Sequence, residues 1–147
     1  MNNRRLLWAA AVLTVLMLTL NWITHRQRQV PVMAVNFELP RMNGGGVERL
    51  DAYSEKVRLL VFWATWCAPC VSEIPSLVAL QQDLGPKGFQ ILAVTLDENP
   101  HAVTALDQKY HFNYPVLSGT DKVVRDYGGV ESIPMSFLID RQNRVSK

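Results

Sequence analysis

Apolar residues fall into two kinds of run along this chain. From Leu6 to Ile23 the run is unbroken: LLWAAAVLTVLMLTLNWI carries no charge, and only Thr14, Thr19 and Asn21 are polar. As a helix rising about 1.5 Å per residue it would span roughly 27 Å, close to the hydrocarbon thickness of a bilayer. Arg4 and Arg5 lie in a basic n-region over residues 1–5, and no small-x-small cleavage site follows the run. The pattern predicts an uncleaved transmembrane signal anchor over residues 6–23, not a removed signal peptide or a buried core helix. Arg26 and Arg28 follow the span as Arg4 and Arg5 precede it, so charge alone leaves its orientation open. Residues 24–35 contain Pro31 and read as a linker. Residues 36–147 are enough for one compact domain with one core.

Beyond residue 36 the apolar runs are short and change period. Phe37 to Pro40 and Val47 to Leu50 flank Asn43-Gly44-Gly45-Gly46, which predicts a β-hairpin around a glycine turn. Val57 to Trp63 is apolar apart from Arg58, with β-branched and aromatic residues, the mark of a buried strand. Then Val71, Ile74, Leu77, Val78 and Leu84 recur at helical spacing until Gly85-Pro86-Lys87-Gly88 stops them. Pro75 inside this helix should kink it. Phe89 to Leu96 is a second buried strand. Asn99 and Pro100 form an N-cap and first-turn proline for a helix that runs to about Tyr110. Val116-Leu117, a short helix capped by Thr120, and Met135 to Ile139 follow. Asp140 to Asn143 is a turn, and Arg144-Val145 opens a last strand. Strands alternating with helices, ending in a hairpin, predict an α/β domain with a mixed central sheet.

Composition adds little to that picture. The formal net charge is +2 with no long basic run, which gives no support for nucleic-acid binding. The two cysteines, Cys67 and Cys70, change it decisively. They stand two residues apart in Trp66-Cys67-Ala68-Pro69-Cys70, between the first buried strand and its helix. A thiol at the first turn of a helix faces unpaired backbone N–H groups and the positive end of the dipole. Both favour thiolate, the species that attacks a disulfide. Cys67 is expected there, partly exposed. Cys70, one turn on, can reach a mixed disulfide formed on Cys67 and is the natural resolving thiol. Pro69 removes a backbone donor and stiffens the turn, and Trp66 shields one side.

Other readings of the pair remain. A structural disulfide at this spacing closes a short loop and restrains little of the unfolded chain. Half of a zinc site would need further ligands, and His25, His101 and His111 offer no matching pair. Two unrelated core cysteines are the third. Glu73 is three residues beyond Cys70, so the two side chains can meet and the carboxylate could take or deliver the Cys70 proton. It could equally be a solvated glutamate favoured by the helix dipole. Pro134, after Ile133, is either an ordinary residue opening a strand or a cis proline that brings its loop beside the dithiol.

With Phe62-Trp63-Ala64-Thr65-Trp66-Cys67-Ala68-Pro69-Cys70, Pro75 and Ile133-Pro134 in view, the chain resembles the thioredoxin superfamily. More narrowly it resembles the membrane-anchored thiol-disulfide oxidoreductases of TlpA/ResA type, which include the cytochrome c maturation reductases of CcmG/DsbE type. The resemblance covers about residues 37–145. It implies a thioredoxin-like fold with an N-terminal hairpin and a central αβ insertion between Asn99 and Leu117, after one transmembrane helix. It also implies an attacking Cys67, a resolving Cys70, a cis Pro134, and an acidic partner at Glu73. Ile133 would then pair with an extended client segment, with Trp66 and Pro134 beside it. Ordinary thioredoxins carry an aspartate where this chain has Val61, which favours the anchored group. Family members continue into a full hairpin and a C-terminal helix. A chain ending at Lys147 lacks that helix, so apolar sheet surface should be left wet at about 25 cal/mol per Å² of lost burial. Poor stability of the domain on its own is the expectation.

The function implied is reduction of disulfides in exported, cysteine-containing clients, such as those of cytochrome c biogenesis. The redox-active Cys67–Cys70 pair would be the sole redox group, with no cofactor and no metal. The resemblance also implies re-reduction by a membrane donor of DsbD/CcdA type. The domain would lie on the periplasmic or equivalent extracytoplasmic side of the inner (cytoplasmic) membrane, on a single-pass anchor. A disulfide oxidase or isomerase would use the same residues at a different potential. A redox-inactive peptide-binding module would keep only the Pro134 groove. The related peroxidases need a proline seven and a threonine three residues before the cysteine, where this chain has Leu60 and Ala64.

Overall fold

The run from Val57 to Trp63 forms the strand around which the domain is laid out. In a computed structural model, which describes Trp8, residues 11–21 and residues 32–146, the chain divides into two units, Met1–Pro31 and Val32–Lys147. Eight strands are described in the second unit. They are β1 (Val32–Met33), β2 (Glu38–Pro40), β3 (Val47–Arg49), β4 (Val57–Trp63), β5 (Phe89–Thr95), β6 (Val116–Ser118), β7 (Met135–Ile139) and β8 (Arg144–Ser146). The helices are α1 (Ala68–Leu84), α2 (Pro100–Tyr110) and α3 (Asp121–Asp126), with 3-10 turns over Leu50–Tyr53 and Gly85–Lys87.

Six strands form one sheet in the order β1-β8-β7-β4-β5-β6, with β2 and β3 paired apart. β4 runs parallel to β5 and antiparallel to β7, and β5 runs parallel to β6, so the sheet is mixed as expected. Parallel neighbours need crossovers, and α1 and α2 supply them. Successive β4 side chains then serve opposite faces. Leu60 and Phe62 join Phe137, Ile139, Leu92, Val94 and Tyr127 in one core; Val61 and Trp63 join Ile91, Ala93, Ile74 and both cysteines in the other. Both faces of the strand are covered, which is why its sequence shows no alternation.

The helix boundaries follow their caps. Asn99 Oδ1 accepts the His101 N–H at 3.0 Å, and Thr120 Oγ1 accepts that of Val123 at 3.3 Å. Gly88, at φ 84°, ends the turn after α1 in the left-handed region that favours glycine. Pro75 lies inside α1 without ending it. The hairpin turns through Gly44, Gly45 and Gly46, all at positive φ. It covers the free edge of β6: Met42 N–H donates to Val116 O at 2.7 Å, and Asn43 Oδ1 accepts the Val116 N–H at 2.8 Å.

One boundary differs from the sequence reading. Val32–Met33, read as linker, are strand β1 and pair with β8. Two residues carry too little pattern to announce a strand; the open edge of β8 recruits them. β7 turns Ser136 and Leu138 to the α1 side of the sheet, Leu138 being 45% exposed.

In the first unit, residues 11–21 are helical, and Thr14 and Thr19 return their hydroxyl protons to Ala11 O and Leu16 O. Among the described residues no helix is long and apolar enough to cross a membrane. The basic n-region, both ends of the 6–23 segment and most of the 24–35 linker lie outside the described residues.

The 3-10 turn after β3 carries a pH-sensitive lock. Asp51 accepts from Arg49 Nε at 2.9 Å and Arg49 Nη2 at 2.7 Å, and from Asn36 Nδ2 at 2.8 Å. The Arg49 hydrogen bond first, aided by Asn36, holds the Asp51 carboxyl down to about 2. The value in an unfolded chain is about 3.9. Its contribution is therefore present above about pH 4 and is lost as the pH falls through the folded value near 2. Asp51→Asn should flatten the acid fall of the urea midpoint between about pH 4 and pH 2. Parallel acid slopes in the parent and the variant would refute this.

Candidate active site

β4 delivers the chain to the site. After Trp63, Ala64 is fully buried, and the Cys67 N–H closes a turn onto Ala64 O at 3.2 Å. Cys67 is the N-cap of α1, with extended backbone (φ −91°, ψ 99°). Its sulfur accepts the Cys70 N–H at 3.3 Å, and its carbonyl accepts the Val71 N–H at 3.0 Å. Pro69 falls in the first turn, where a missing N–H costs nothing. Cys67 and Cys70 are joined as a disulfide. The Cys67 sulfur thus sits on the unpaired N–H end of a helix of 17 residues, where developing negative charge is stabilised.

The second wall comes from β7. Antiparallel pairing sets Met135 opposite Phe62 and Ser136 opposite Val61. Residues just before Met135 must therefore stand beside those just after Phe62. The Ile133-Pro134 peptide is cis. The Ile133 carbonyl oxygen lies 3.7 Å from Cys67 Sγ. Cys67 is consequently only 7% exposed, less than the partial exposure expected, because this loop covers its sulfur. Cys70 is 3% exposed and lies deeper, while Trp66 between the turn and the helix is 70% exposed.

Behind Cys70 is a small cavity of about 10 Å³, room for about one water molecule. Cys70, Glu73, Pro134, Val61 and Tyr114 are among its walls. Glu73, exposed on its outer side, and the buried Cys70 thus line one cavity. Burial pushes the Tyr114 hydroxyl well above its ordinary value, so this wall stays neutral through the physiological range. The fold therefore gathers Cys67, Cys70, Glu73, Ile133 and Pro134 round the dithiol, with Trp66 on its rim.

The sequence reading missed a polar cluster behind the loop. Asp97, just past β5, accepts from the Thr65 N–H at 2.7 Å and from the Thr65 and Thr95 hydroxyls at 2.6 Å each. A threonine closing an apolar strand two residues before an aspartate was the available signal, but its partner Thr65 is 32 residues away.

Comparison with known proteins agrees with this geometry. The profile of the AhpC/TSA family matches residues 30–147. The thiol-disulfide oxidoreductase ResA of Bacillus subtilis is 36% identical over 114 residues, covering 78% of this chain and 63% of its own, less than two thirds of that relative's length. ResA of Bacillus thuringiensis is 31% identical over 153 residues, covering 99% of this chain and 87% of its own. A crystal structure from Chlorobium tepidum, described as a candidate thiol:disulfide interchange protein DsbE, superposes with a TM-score of 0.72 at 34% identity, covering 78% of this chain and 80% of that one. With a dithiol on a helix N-terminus and a cis proline against it, the chain belongs to the AhpC/TSA family and, within that thioredoxin-like group, to the thiol-disulfide oxidoreductases of ResA and DsbE type.

Proposed function

We propose that this protein reduces disulfides of exported, cysteine-containing clients, with Cys67 as the attacking thiolate and Cys70 as the resolving thiol. The observation that carries the assignment of roles is the difference between the two sulfurs. Cys67 Sγ caps α1, receives the Cys70 N–H and faces the Ile133 carbonyl, whereas the buried Cys70 lines the cavity that Glu73 borders.

Reduced Cys67 attacks one sulfur of the client disulfide. A Cys67–client bond forms, the client disulfide breaks, and the departing client sulfur leaves as thiolate. Cys70 then attacks Cys67 Sγ, forming the Cys67–Cys70 disulfide and releasing the second client thiolate. Two electrons pass to the client, and its two thiolates take up protons. Glu73, which borders the same cavity, accepts the Cys70 proton as that thiol becomes a nucleophile. The client strand lies in extended form along Ile133 and Pro134, against the exposed Trp66 ring. No metal or cofactor enters these steps.

Family kinship supports the wider setting. Residues 6–23 would anchor the chain as a single pass in the cytoplasmic membrane, with residues 36–147 on the extracytoplasmic side. A membrane dithiol donor of DsbD/CcdA type would return the domain to its reduced form, and apocytochromes c are fitting clients.

Three measurements test this reading. Cys70→Ser should accumulate client mixed disulfides, and Cys67→Ser should accumulate none; equal trapping on non-reducing gels would reverse or abolish the roles. Glu73→Gln should slow the resolving step by about 10²-fold while leaving the first attack unchanged, the size usual for a lost general base. Stopped-flow on a fluorescent disulfide peptide separates the two phases, and unchanged resolution would remove Glu73 from the mechanism. Equilibrated against a glutathione series, the pair should lie nearer thioredoxin, at about −270 mV, than the oxidant DsbA, at about −120 mV. A value at the oxidising end would favour a disulfide oxidase or isomerase.

A further inference from the structure

Beyond Trp63 nothing in the sheet ladder holds the loop that carries the dithiol. Trp63 pairs with Thr95, and the Leu96 N–H donates to Trp63 O at 2.9 Å; there the parallel ladder of β4 and β5 ends. Thr65, Trp66 and Cys67 must still be placed before α1 begins. Asp97 takes over at that point. One of its carboxylate oxygens accepts both the Thr65 N–H and the Thr95 hydroxyl, and the other accepts the Thr65 hydroxyl. The Asp97 N–H in turn donates to Thr95 Oγ1 at 3.2 Å. Thr95 is fully buried in β5, so the carboxylate is itself fixed to the sheet. Three donors on one carboxylate make charge-assisted bonds, stronger than the neutral kind.

We infer that Asp97 is a positioning residue for the dithiol: it staples Thr65 to the end of β5, holding Cys67 in the N-cap of α1 and Trp66 out in solvent. The Thr65–Asp97 bond and the Ala64–Cys67 turn tether the chain on both sides of Trp66. A tryptophan 70% exposed gains by folding onto apolar surface wherever its loop is free to do so. Without the staple the loop can relax, the Cys67 sulfur leaves the helix N–H groups, and its thiolate loses their support. The Asp97 charge acts the opposite way, since an anion near the helix N-terminus disfavours a second one. Position and charge can therefore be told apart by substitution.

The inference rests on Cys67 being the attacking thiol. The experiment is the pH profile of iodoacetamide alkylation of the full reduced chain, with the labelled cysteine identified by peptide mapping. In Asp97→Ala the Cys67 midpoint should rise by about one unit, the scale of a lost helix-terminus contact, with about tenfold slower labelling below the midpoint. Asp97→Asn can keep the staple without charge. Its amide oxygen accepts the Thr65 N–H and its amide nitrogen donates to a threonine hydroxyl. It should return the midpoint to the parent value or below. Thr65→Val, which removes one bond of three, should move the midpoint the same way as alanine by less, and it serves if Asp97→Ala does not fold. Unchanged midpoints with only a lower urea midpoint would make Asp97 a purely structural residue and overturn the inference. A lowered midpoint in both Asp97 variants would make its role one of charge and overturn it equally. Labelling of Cys70 first in the parent chain would overturn the reading of Cys67, whatever Asp97 does.

Discussion

Phe62 pairs with Met135, and that one register puts the redox site together. β4 leads into the cysteine turn, and β7 begins at the cis proline. Because the two strands are antiparallel and adjacent, the end of one is the start of the other. The loop before β7 therefore lies over the loop after β4, and Ile133 O comes within reach of Cys67 Sγ. A slip of one residue would turn each β7 side chain to the opposite face and carry Phe137 and Ile139 out of their core. The core that holds Phe137 and Ile139 thus guards the site's geometry, although the cysteines belong to the other core.

The same logic explains the uneven burial of the two sulfurs. Cys67 is at a junction of three elements: the end of β4, the first turn of α1 and the cis-proline loop. It is 7% exposed, next in the chain to the exposed Trp66. Cys70 points back from the helix into the space bounded by Val61 and Tyr114, where Glu73 is the one carboxylate on the wall. In the proposed mechanism Cys67 meets the client and Cys70 ends the encounter. The proposed attack by Cys70 calls for a proton acceptor, and Glu73, one helical turn away on the cavity wall, is the carboxylate proposed for it.

Much of this was legible in the chain. Val57–Trp63 announced a strand buried on both faces because Leu59 to Trp63 is apolar without alternation, and Asn99, Pro100 and Thr120 announced helix starts because capping is local. Pro134 was different: the residue itself left cis and trans open, and only resemblance pointed to cis. β1 was read as linker because pairing with β8 depends on a partner more than 100 residues away, as the Ala34–Asn143 hydrogen bond does. Partial exposure of Cys67 was misjudged for the same reason, since the covering loop comes from Ile133.

The sequence by itself determined the chemistry: two cysteines one helical turn apart, a strand to deliver them and a helix to stabilise a thiolate. These are local matters, fixed by spacing, capping and hydrophobic period. Only the tertiary structure decided what surrounds them. The Ile133 carbonyl over Cys67, the cavity lined by Cys70 and Glu73, and the Asp97 staple on Thr65 all join residues tens of positions apart, or depend on a wall that does. Sequence spacing reports neighbours along a strand or helix, whereas these contacts exist because sheet pairing brings separate strand ends to one edge.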